Sequence, residues 1–307
     1  MHIHEQLMSK NGLTISILSR EFLASNLNDR VPTVSEFSER LGVARGTVHN
    51  ALKGLEQSGI IELENRGRMG SYLTHKDDCQ LLKNAGITSL VGAMPLPYSK
   101  RFEGMATGIV SSSENKYDLP ISLYYMRGSK RRVSMVLEGR CDFAILSKYA
   151  AQTLAKEDPR IQIALEFGPG SYSKSYVVLF HDDQTKEIKD GMRMGIDKDS
   201  VEQEDMTKVV CRDKKVKLIP VKYSSLLREV INGELDAAVW NLDEVIDSHT
   251  HVNYQTNILI DTCTTNAAIV TTSERPEMGN IIRNCVDTKS VLKAEKDVIS
   301  GKLIPSY

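Results

Sequence analysis

One ten-residue pattern occurs twice in the chain, as VLEGRCDFAI at Val136–Ile145 and as VINGELDAAV at Val230–Val239. In both copies an apolar stretch ends at a glycine, an aspartate follows, and a second apolar run begins. A glycine just past the last helical turn and an apolar run bounded by turn residues indicate a helix that ends and a buried strand that begins. A shorter strand-and-helix pattern precedes each copy. The repeat therefore predicts two similar α/β lobes with a cleft between them.

The region around the repeat alternates strand and helix patterns from about residue 88 to the last residue. The stretch TTNAAIVTTSERPEMGNIIRNCVD adds one more strand and helix, which suit a return of the chain to the first lobe. We therefore predict a bilobed domain over 88–307, with lobe I at about 88–184 and 262–307 and lobe II at about 185–261. A single doubly wound sheet, in which helix, glycine and strand also follow one another, is the alternative.

Composition limits the class of protein. The 307 residues are 41% hydrophobic and 26% charged, with a formal net charge of -1. No run reaches the about 18 apolar residues of a membrane-spanning helix, and the N-terminal stretch lacks the apolar core of a signal peptide. The five cysteines form no close pair and have no histidine at metal-ligand spacing. These features predict a soluble, cytoplasmic protein with reduced cysteines, no cofactor, no metal and no membrane partner.

The N-terminal region carries the pattern of a winged helix-turn-helix. Thr33 and Glu36 form a capping box at the start of a short helix, Gly42 ends that helix, and a further amphipathic helix follows. The stretch IIELENRGRMGSYLT then reads as a hairpin with two arginines in its turn. We predict a winged helix-turn-helix over 1–75 and a linker over 76–87.

The outward face of the further helix and the hairpin turn carry hydrogen-bond donors. The DNA-binding residues that we predict are Thr33, Arg45, Gly46, Thr47, His49, Asn50, Lys53, Arg66 and Arg68. A helix with a polar donor face, followed by a basic wing, is the order expected where the helix enters the major groove and the wing lies near the DNA backbone or minor groove. A small helical docking domain with solvated arginines is the alternative. One recognition helix per chain buries little surface, so we predict a homodimer on double-stranded DNA.

The stretch VPTVSEFSERLGVARGTVHNALKGLEQSGII resembles the DNA-binding domain of GntR-type regulators, including an Arg-x-Thr-Val core at Arg45, Thr47 and Val48. The resemblance implies that Arg45 and Thr47 contact the DNA backbone. It also implies that His49 reads a base, at a position where many relatives have arginine. Ala44 departs from the family pattern, because many relatives have a helix-capping serine there, so a hydroxyl contact to phosphate is absent. The sequence of the DNA site stays open.

Ligands of open α/β layers bind beyond the carboxyl ends of the strands, near helix N-termini. The ligand-binding residues predicted in this way are Met94, Tyr98, Arg127, Ser129, Lys130, Ser147, Ser171, Asp197, Tyr223, Ser224 and Asn241. Three cations follow Ser129 in the first turn of a helix, where the helix dipole disfavours positive charge. A negative group held at Ser129, with Arg127 or Lys130 as countercharge, would compensate, so we predict a small anionic effector. Solvated side chains that point away from the cleft are the alternative.

The C-terminal region resembles the bilobed, periplasmic-binding-protein-like (type 2) ligand domains of bacterial regulators. The whole chain is similar to the YhfZ-type regulators through the stretches AMPLPYSKRFEGMATG, MRGSKRRV, NGELDAAVWN and the terminal PSY. The resemblance implies a DNA-binding transcriptional regulator with an effector domain, and it does not supply the ligand.

Motifs of catalysis are absent from the sequence. It contains no Gly-x-Ser-x-Gly elbow, no Walker phosphate loop, no His-Glu-x-x-His and no Gly-x-Gly-x-x-Gly that opens a helix. We therefore predict a sensor that is not an enzyme. An enzyme that acts on a small anionic substrate in the α/β cleft, tethered to a DNA-binding head, is the alternative.

Overall fold

The computed structural model describes residues 9–256 and 262–307 of the chain. Residue contacts divide the chain into two compact units. The first unit extends to Ser89 and includes Pro276–Ile281, and the second consists of Leu90–Arg275 and Ile282–Tyr307. Within the described residues, no helix combines the length and the apolarity that a membrane crossing requires.

The first unit is a winged helix-turn-helix, as the sequence predicts. Its elements are α1 (Lys10–Ala24), β1 (Arg30–Val31), α2 (Val34–Leu41), α3 (Arg45–Gln57), β2 (Ile61–Asn65), β3 (Ser71–Lys76) and α4 (Asp78–Asn84). The strands form an antiparallel sheet in the order β1-β3-β2, and α1 packs on α3 and α4. Phe22, Phe37, Val48 and Leu55 are buried and belong to the core of this unit.

The ends of helix α2 follow the signals in the sequence. Thr33 Oγ1 accepts a hydrogen bond from the Glu36 amide, and the Glu36 carboxylate accepts one from the Thr33 amide, which completes the capping box. Gly42 has a φ of +62°, a left-handed conformation that favours glycine and lets the chain turn into α3. The segment 76–87, predicted as a linker, contains helix α4. Leu81 and Leu82 of this helix are buried, so the segment is part of the first unit.

In the described part of the chain, the second unit holds two five-stranded sheets. The elements from Leu90 onwards are β4 (Leu90–Met94), α5 (Lys100–Tyr117), β5 (Ile121–Tyr125), α6 (Ser129–Leu137), β6 (Phe143–Ser147), α7 (Lys148–Glu157), β7 (Ile161–Glu166), β8 (Tyr176–Phe180), β9 (Arg193–Ile196), α8 (Val201–Val210), β10 (Lys217–Pro220), α9 (Tyr223–Ile231), β11 (Ala237–Asn241), α10 (Leu242–Ser248), β12 (Asn253–Gln255), β13 (Ala267–Thr272), α11 (Pro276–Cys285) and α12 (Thr288–Ile299).

The two sheets have the same plan. The first has the strand order β5-β4-β6-β13-β7 and the second has the order β10-β9-β11-β8-β12. In each, the first three strands are parallel and the fourth is antiparallel to both of its neighbours. Each sheet with its helices is one lobe, so the bilobed α/β fold predicted from the repeat is confirmed.

The two copies of the repeated pattern occupy equivalent places in the two sheets. In both, a glycine with positive φ ends the helix before the central strand. Asp142 then accepts a hydrogen bond from the amide of Val91 in β4 at 2.8 Å. Asp236 accepts the corresponding bond from the amide of Arg193 in β9 at 2.7 Å. Each aspartate therefore ties the start of the central strand to the strand beside it, which gives it the same structural role in both copies.

One strand lies in a different lobe from the one predicted. Strand β8 pairs with β11 and β12, so it belongs to the second sheet, whereas the prediction extends lobe I to about residue 184. The chain crosses between the lobes after Glu166 and before Tyr176. All five residues of β8 are buried, so its sequence does not alternate between apolar and polar residues. The sequence therefore gives no sign of which sheet the strand joins.

Helices α5 and α12 pack closely through two glycines of α5. A Cβ atom at Gly104 would lie 2.6 Å from Glu295 Cα, and one at Gly108 would lie 2.6 Å from Val291 Cα. Two helix backbones can approach this closely only where no side chain stands between them. The stretch EGMATG, part of a segment that is distinctive in the sequence, is therefore a helix-packing surface of lobe I.

Candidate functional site

The outer face of α3 carries the side chains that the sequence assigns to DNA. The exposed residues of this face are Arg45, Gly46, His49, Asn50 and Lys53, and Thr47 beside them is half-buried. Val48, Leu52 and Leu55 are buried on the other side of the same helix, so helical spacing presents the polar face outward. Among the described residues no side chain caps the start of α3, because the N-cap residue is Ala44.

Thr33 and the two arginines of the hairpin differ in what they already bind. Thr33 uses its hydroxyl to cap α2. Arg66 forms an ion pair with Glu64, 2.6 Å from Nη2 to Oε2, and its guanidinium lies 4.4 Å from the centroid of the Tyr72 ring. Arg68 is exposed and makes no hydrogen bond or ion pair with the residues that the structure describes. Of these three side chains, Arg68 is the one left free to meet a phosphate.

A cavity that opens to solvent lies between the two lobes of the second unit. The residues that line it are Pro95, Leu96, Tyr98, Phe102, Arg127, Gly128, Ser129, Arg132, Tyr172, Tyr176, Ser200, Glu202, Gln203, Tyr223, Asn241 and Glu244. This lining includes five of the ligand-binding residues predicted from the sequence, which are Tyr98, Arg127, Ser129, Tyr223 and Asn241. The rule of strand ends and helix N-termini therefore leads to this cavity from both lobes.

The other predicted ligand residues do not line the cavity: they are Met94, Lys130, Ser147, Ser171, Asp197 and Ser224. Met94 is completely buried in β4. The Ser147 hydroxyl caps the first turn of α7, and the Ser171 hydroxyl bonds two backbone groups. Ser224 lines a neighbouring depression with Tyr98. For the two buried serines, the protein's own backbone takes up the hydrogen bonds that the prediction assigned to a ligand.

Asp197 holds residues of both lobes at the edge of the cavity. Its Oδ2 atom lies 3.3 Å from Nη1 of Arg127 and accepts a hydrogen bond from the Tyr223 amide at 2.8 Å. The same guanidinium nitrogen lies 3.2 Å from Oδ2 of Asp199. Arg127 therefore lines the cavity as a cation that is already paired with two carboxylates of the opposite lobe.

Lys130 and Arg131, in the basic turn that follows Ser129, are also paired with carboxylates of lobe II. Lys130 Nζ lies 3.1 Å from Glu204 Oε2, and Arg131 Nε lies 2.9 Å from Asp199 Oδ2. Carboxylates of lobe II thus supply the compensation that the sequence analysis assigns to a negatively charged ligand. The basic turn is a contact between the lobes.

Further polar residues line the cavity that the prediction from the sequence does not include: Arg132, Tyr172, Tyr176, Glu202 and Glu244. Glu202 and Glu244 lie in the first turns of α8 and α10. The sequence signal for both is an acidic residue in the first turn of the helix that follows a strand. Arg132 lies in the first turn of α6, but its N–H groups bond Ile145 O, Met126 O and the Tyr172 hydroxyl at 2.9, 2.9 and 3.3 Å.

Both glutamates of the cavity are buried, and the pKa of one of them is raised. Glu202 is 3% exposed, and its Oε1 atom has no hydrogen-bond partner within the described residues. Glu244 is 5% exposed and accepts a hydrogen bond from the Tyr223 hydroxyl at 3.0 Å. Burial raises the pKa of Glu244 to about 8, against the opposing effect of the Tyr223 hydrogen bond. Burial also raises the pKa values of Tyr172, Tyr176 and Tyr223, so these hydroxyls stay protonated.

Residues 77–307 match the family model described as the YhfZ C-terminal domain. The chain belongs to the YhfZ family. Residues 26–73 match the model of a helix-turn-helix domain. Over 305 residues the chain is 31% identical to the protein YhfZ of Escherichia coli K12, covering 98% of both proteins. The family resemblance found in the sequence is therefore confirmed.

One further protein and two solved structures are similar to parts of the chain. The HTH-type transcriptional regulator Rv1152 of Mycobacterium tuberculosis is 36% identical over 63 residues, which are 20% of this chain and 50% of that protein. The crystal structure of YhfZ from Shigella flexneri, 30% identical, aligns with a TM-score of 0.61 over 75% of this chain and 97% of that one. The amino acid ABC transporter substrate-binding protein AbpA of Streptococcus pneumoniae, solved with L-arginine, is 12% identical with a TM-score of 0.51, over 73% and 99% of the two chains. At that identity the likeness shows the fold alone, which is the type 2 periplasmic-binding-protein-like fold.

Proposed function

We propose that the chain is a sequence-specific, DNA-binding transcriptional regulator whose bilobed domain senses a small molecule held between its lobes. The helix-turn-helix and the regulator relative support DNA binding, and the binding-protein-like fold supports small-ligand binding. The observation that carries the proposal is the presence, in one chain, of an exposed donor face on α3 and a lined cavity between two lobes. Because the proposed partner is DNA, we place the protein in the cytoplasm.

The residues of the first unit divide into two proposed roles. Arg45 and Thr47, at the start of α3, contact the DNA backbone, as does Arg68 from the wing. His49 and Asn50 face the base edges in the major groove, where side-chain donors and acceptors distinguish base pairs. A homodimer places two such units on two-fold related half-sites, which gives enough buried surface for specific binding.

In the second unit, the proposed effector acts by contacting both lobes. A ligand that touches both lobes stabilises the arrangement in which they close on it, and it shifts the population only by its difference in affinity for the two arrangements. The effector is bound and released unchanged. A sensor of this kind needs no catalytic group in the cavity.

Selection of DNA by the full chain tests the regulator proposal. From a random library of DNA duplexes, we expect enrichment of a site with two-fold symmetric half-sites, protected by a dimer in footprinting and sedimentation experiments. In parallel, small molecules released from the purified protein by heat are identified and added back. We expect one of them to raise the melting temperature, to change the affinity for the selected site, and to be recovered unchanged. Failure to enrich any site, or a monomer on an asymmetric site, would contradict the proposal.

Replacing His49 and replacing Arg68 by alanine should affect DNA binding in different ways. His49→Ala should relax the preference at one position of each half-site by about 1 to 3 kcal/mol, since a base contact is lost. Arg68→Ala should weaken binding to all sequences and lower the slope of log K against log salt concentration by about 1, since a phosphate contact is lost. Arg66→Ala is the matched control, because Arg66 is already paired with Glu64.

Binding measured on the selected site and on single-base variants, at several salt concentrations, separates these effects. Arg66→Ala should change the salt slope less than Arg68→Ala does. If His49→Ala and Arg68→Ala lowered affinity by one common factor on every sequence, the assigned roles would be wrong.

A further inference from the structure

We propose that the ligand of the cavity between the lobes carries a protonated amine or a similar cationic N–H group, which Glu202 and Glu244 hold against the tyrosine rings. This inference rests on the proposed function and names the chemical class of its effector. It replaces the anionic effector that the basic turn predicts from the sequence.

The first observation is the unsatisfied oxygen of Glu202. This side chain lines the cavity from the first turn of α8 and is almost completely buried. Its Oε2 atom accepts long hydrogen bonds, 3.4 Å each, from the hydroxyls of Ser129 and Ser200, while Oε1 has no partner within the described residues. A buried carboxylate oxygen without a donor is strongly unfavourable. A ligand N–H group at this place would satisfy it.

The second observation is the distribution of charge on the cavity wall. The charged side chains that line the cavity are Arg127, Arg132, Glu202 and Glu244. Arg127 is paired with Asp197 and the N–H groups of Arg132 bond two carbonyls and a tyrosine. Neither glutamate forms an ion pair with the residues that the structure describes. Among the charged side chains of the wall, the buried atom left without a hydrogen-bond partner within the described residues is therefore an acceptor, Oε1 of Glu202.

The third observation is the aromatic lining. The rings of Tyr98, Phe102, Tyr172, Tyr176 and Tyr223 line the same cavity. Tyr223 stacks on Trp240 with 4.1 Å between ring centroids, which fixes its plane. The negative face of an aromatic ring attracts a cation, and more strongly where water is excluded. The walls thus suit an organic ammonium group with an apolar skeleton.

Protonation of Glu244 gives the proposal a signature that depends on pH. The titratable and charged groups that face or neighbour this carboxyl are Tyr98, Tyr172, Tyr176, Tyr223, Asp243 and Asp247, together with Arg101 through its ion pair with Asp243. With a pKa of about 8, Glu244 is mostly protonated at pH 6 and loses its proton when an ammonium group binds beside it. The affinity for an amine should therefore rise between pH 6 and pH 8, with release of a proton, whereas the affinity for an anion should fall.

Calorimetric titration of the full chain with four probes of matched skeleton tests the charge class. The probes are phenethylamine, phenylalanine, 2-phenylethanol and 3-phenylpropionate, which share an aromatic ring and differ in the group at the end of the chain. We expect at least one of the two amines to bind at least ten times more tightly than the alcohol and the carboxylate. We also expect that amine to bind more tightly at pH 8 than at pH 6. Which amine binds shows whether the ligand also carries a carboxylate.

Two variants connect this binding to the carboxylate. Glu202→Gln should weaken amine binding about tenfold, because the amide keeps the shape and removes the charge. Glu187→Gln, at an exposed position of the same lobe outside the cavity, should leave it within twofold. Three results would overturn the amine proposal. They are tighter binding of 3-phenylpropionate than of either amine, an amine affinity of Glu202→Gln equal to that of the unchanged chain, and binding of neither amine. Because the released small molecule is identified independently, an effector that proves to be an anion overturns this inference and leaves the regulator proposal intact.

Discussion

Replacement of Arg101 by alanine should lower the free energy of unfolding of the second unit by about 3 to 5 kcal/mol, since it leaves buried carboxylates without their cation. Arg101 Nε lies 2.9 Å from Asp243 Oδ2, and its Nη1 atom forms an ion pair with Glu295. All three side chains are largely buried, the arginine being 13% exposed. The same Nη1 atom donates to Gly170 O at 2.6 Å. One guanidinium thus joins α5 and α12 of lobe I to the first turn of α10 in lobe II.

Urea denaturation followed by the fluorescence of Trp240, the one tryptophan of the chain, measures this loss. Arg131→Ala is the control, because that arginine is 54% exposed and its ion pair with Asp199 should contribute no more than about 1 kcal/mol. An Arg101→Ala loss no larger than the Arg131→Ala loss would show that the buried ion pairs do not hold this region together.

The effect of Arg101→Ala should also depend on pH. Burial raises the pKa of Glu295 to about 7 despite the opposing field of Arg101. A carboxyl whose pKa is higher in the folded protein stabilises the fold fully below its unfolded value of about 4.3, and this stabilisation is lost as pH rises through the folded value. Removal of Arg101 raises that pKa further, so the loss of stability should be greater at pH 8 than at pH 5.

A methyl group at Gly108 should destabilise the second unit by about 3 kcal/mol or more, because it would enter the backbone of α12. The space for it is closed by Val291 Cα at 2.6 Å, and a helix backbone cannot move aside as a flexible side chain can. Gly108→Ala would otherwise favour the helix by about 1 kcal/mol, so the expected sign is decided by the contact.

Gly54→Ala provides the matched control, since Gly54 lies inside helix α3, where an added methyl group would meet no other part of the described chain within 4 Å. This change should raise stability by about 0.5 to 1 kcal/mol. Calorimetric melting of both variants, compared with the unchanged chain, gives the two signs. Equal small effects would mean that α5 and α12 can separate without loss.

The features that the sequence predicts well are those with a local physical cause. The capping box of Thr33, the turn at Gly42 and the basic hairpin depend on residues close together in the chain, and the structure contains each of them. The repeat also predicts two lobes, because Asp142 and Asp236 each bind the amide of an adjacent strand. Such signals need no knowledge of distant contacts.

The charge of the cavity could not be predicted from local patterns. The basic turn at Lys130 looks uncompensated in the sequence, because its partner Glu204 lies in the other lobe and far along the chain. Glu244 looks like an ordinary acidic residue in the first turn of a helix, where the dipole favours it. Its burial, and hence its raised pKa, depends on residues that are distant in the chain, such as Tyr223, and not on its neighbours in the sequence.

The ion pairs that cross between the lobes at Arg127, Lys130 and Arg131 have a consequence for the lifetime of a bound effector. Separation of the lobes opens the cavity further, and it breaks these pairs. The ion pairs of Lys130 and Arg131 are partly exposed. Dissolved ions therefore screen them, over a Debye length of about 8 Å at physiological ionic strength. We therefore expect the residence time of the proposed effector to shorten as ionic strength rises, although no atom that would touch the effector changes.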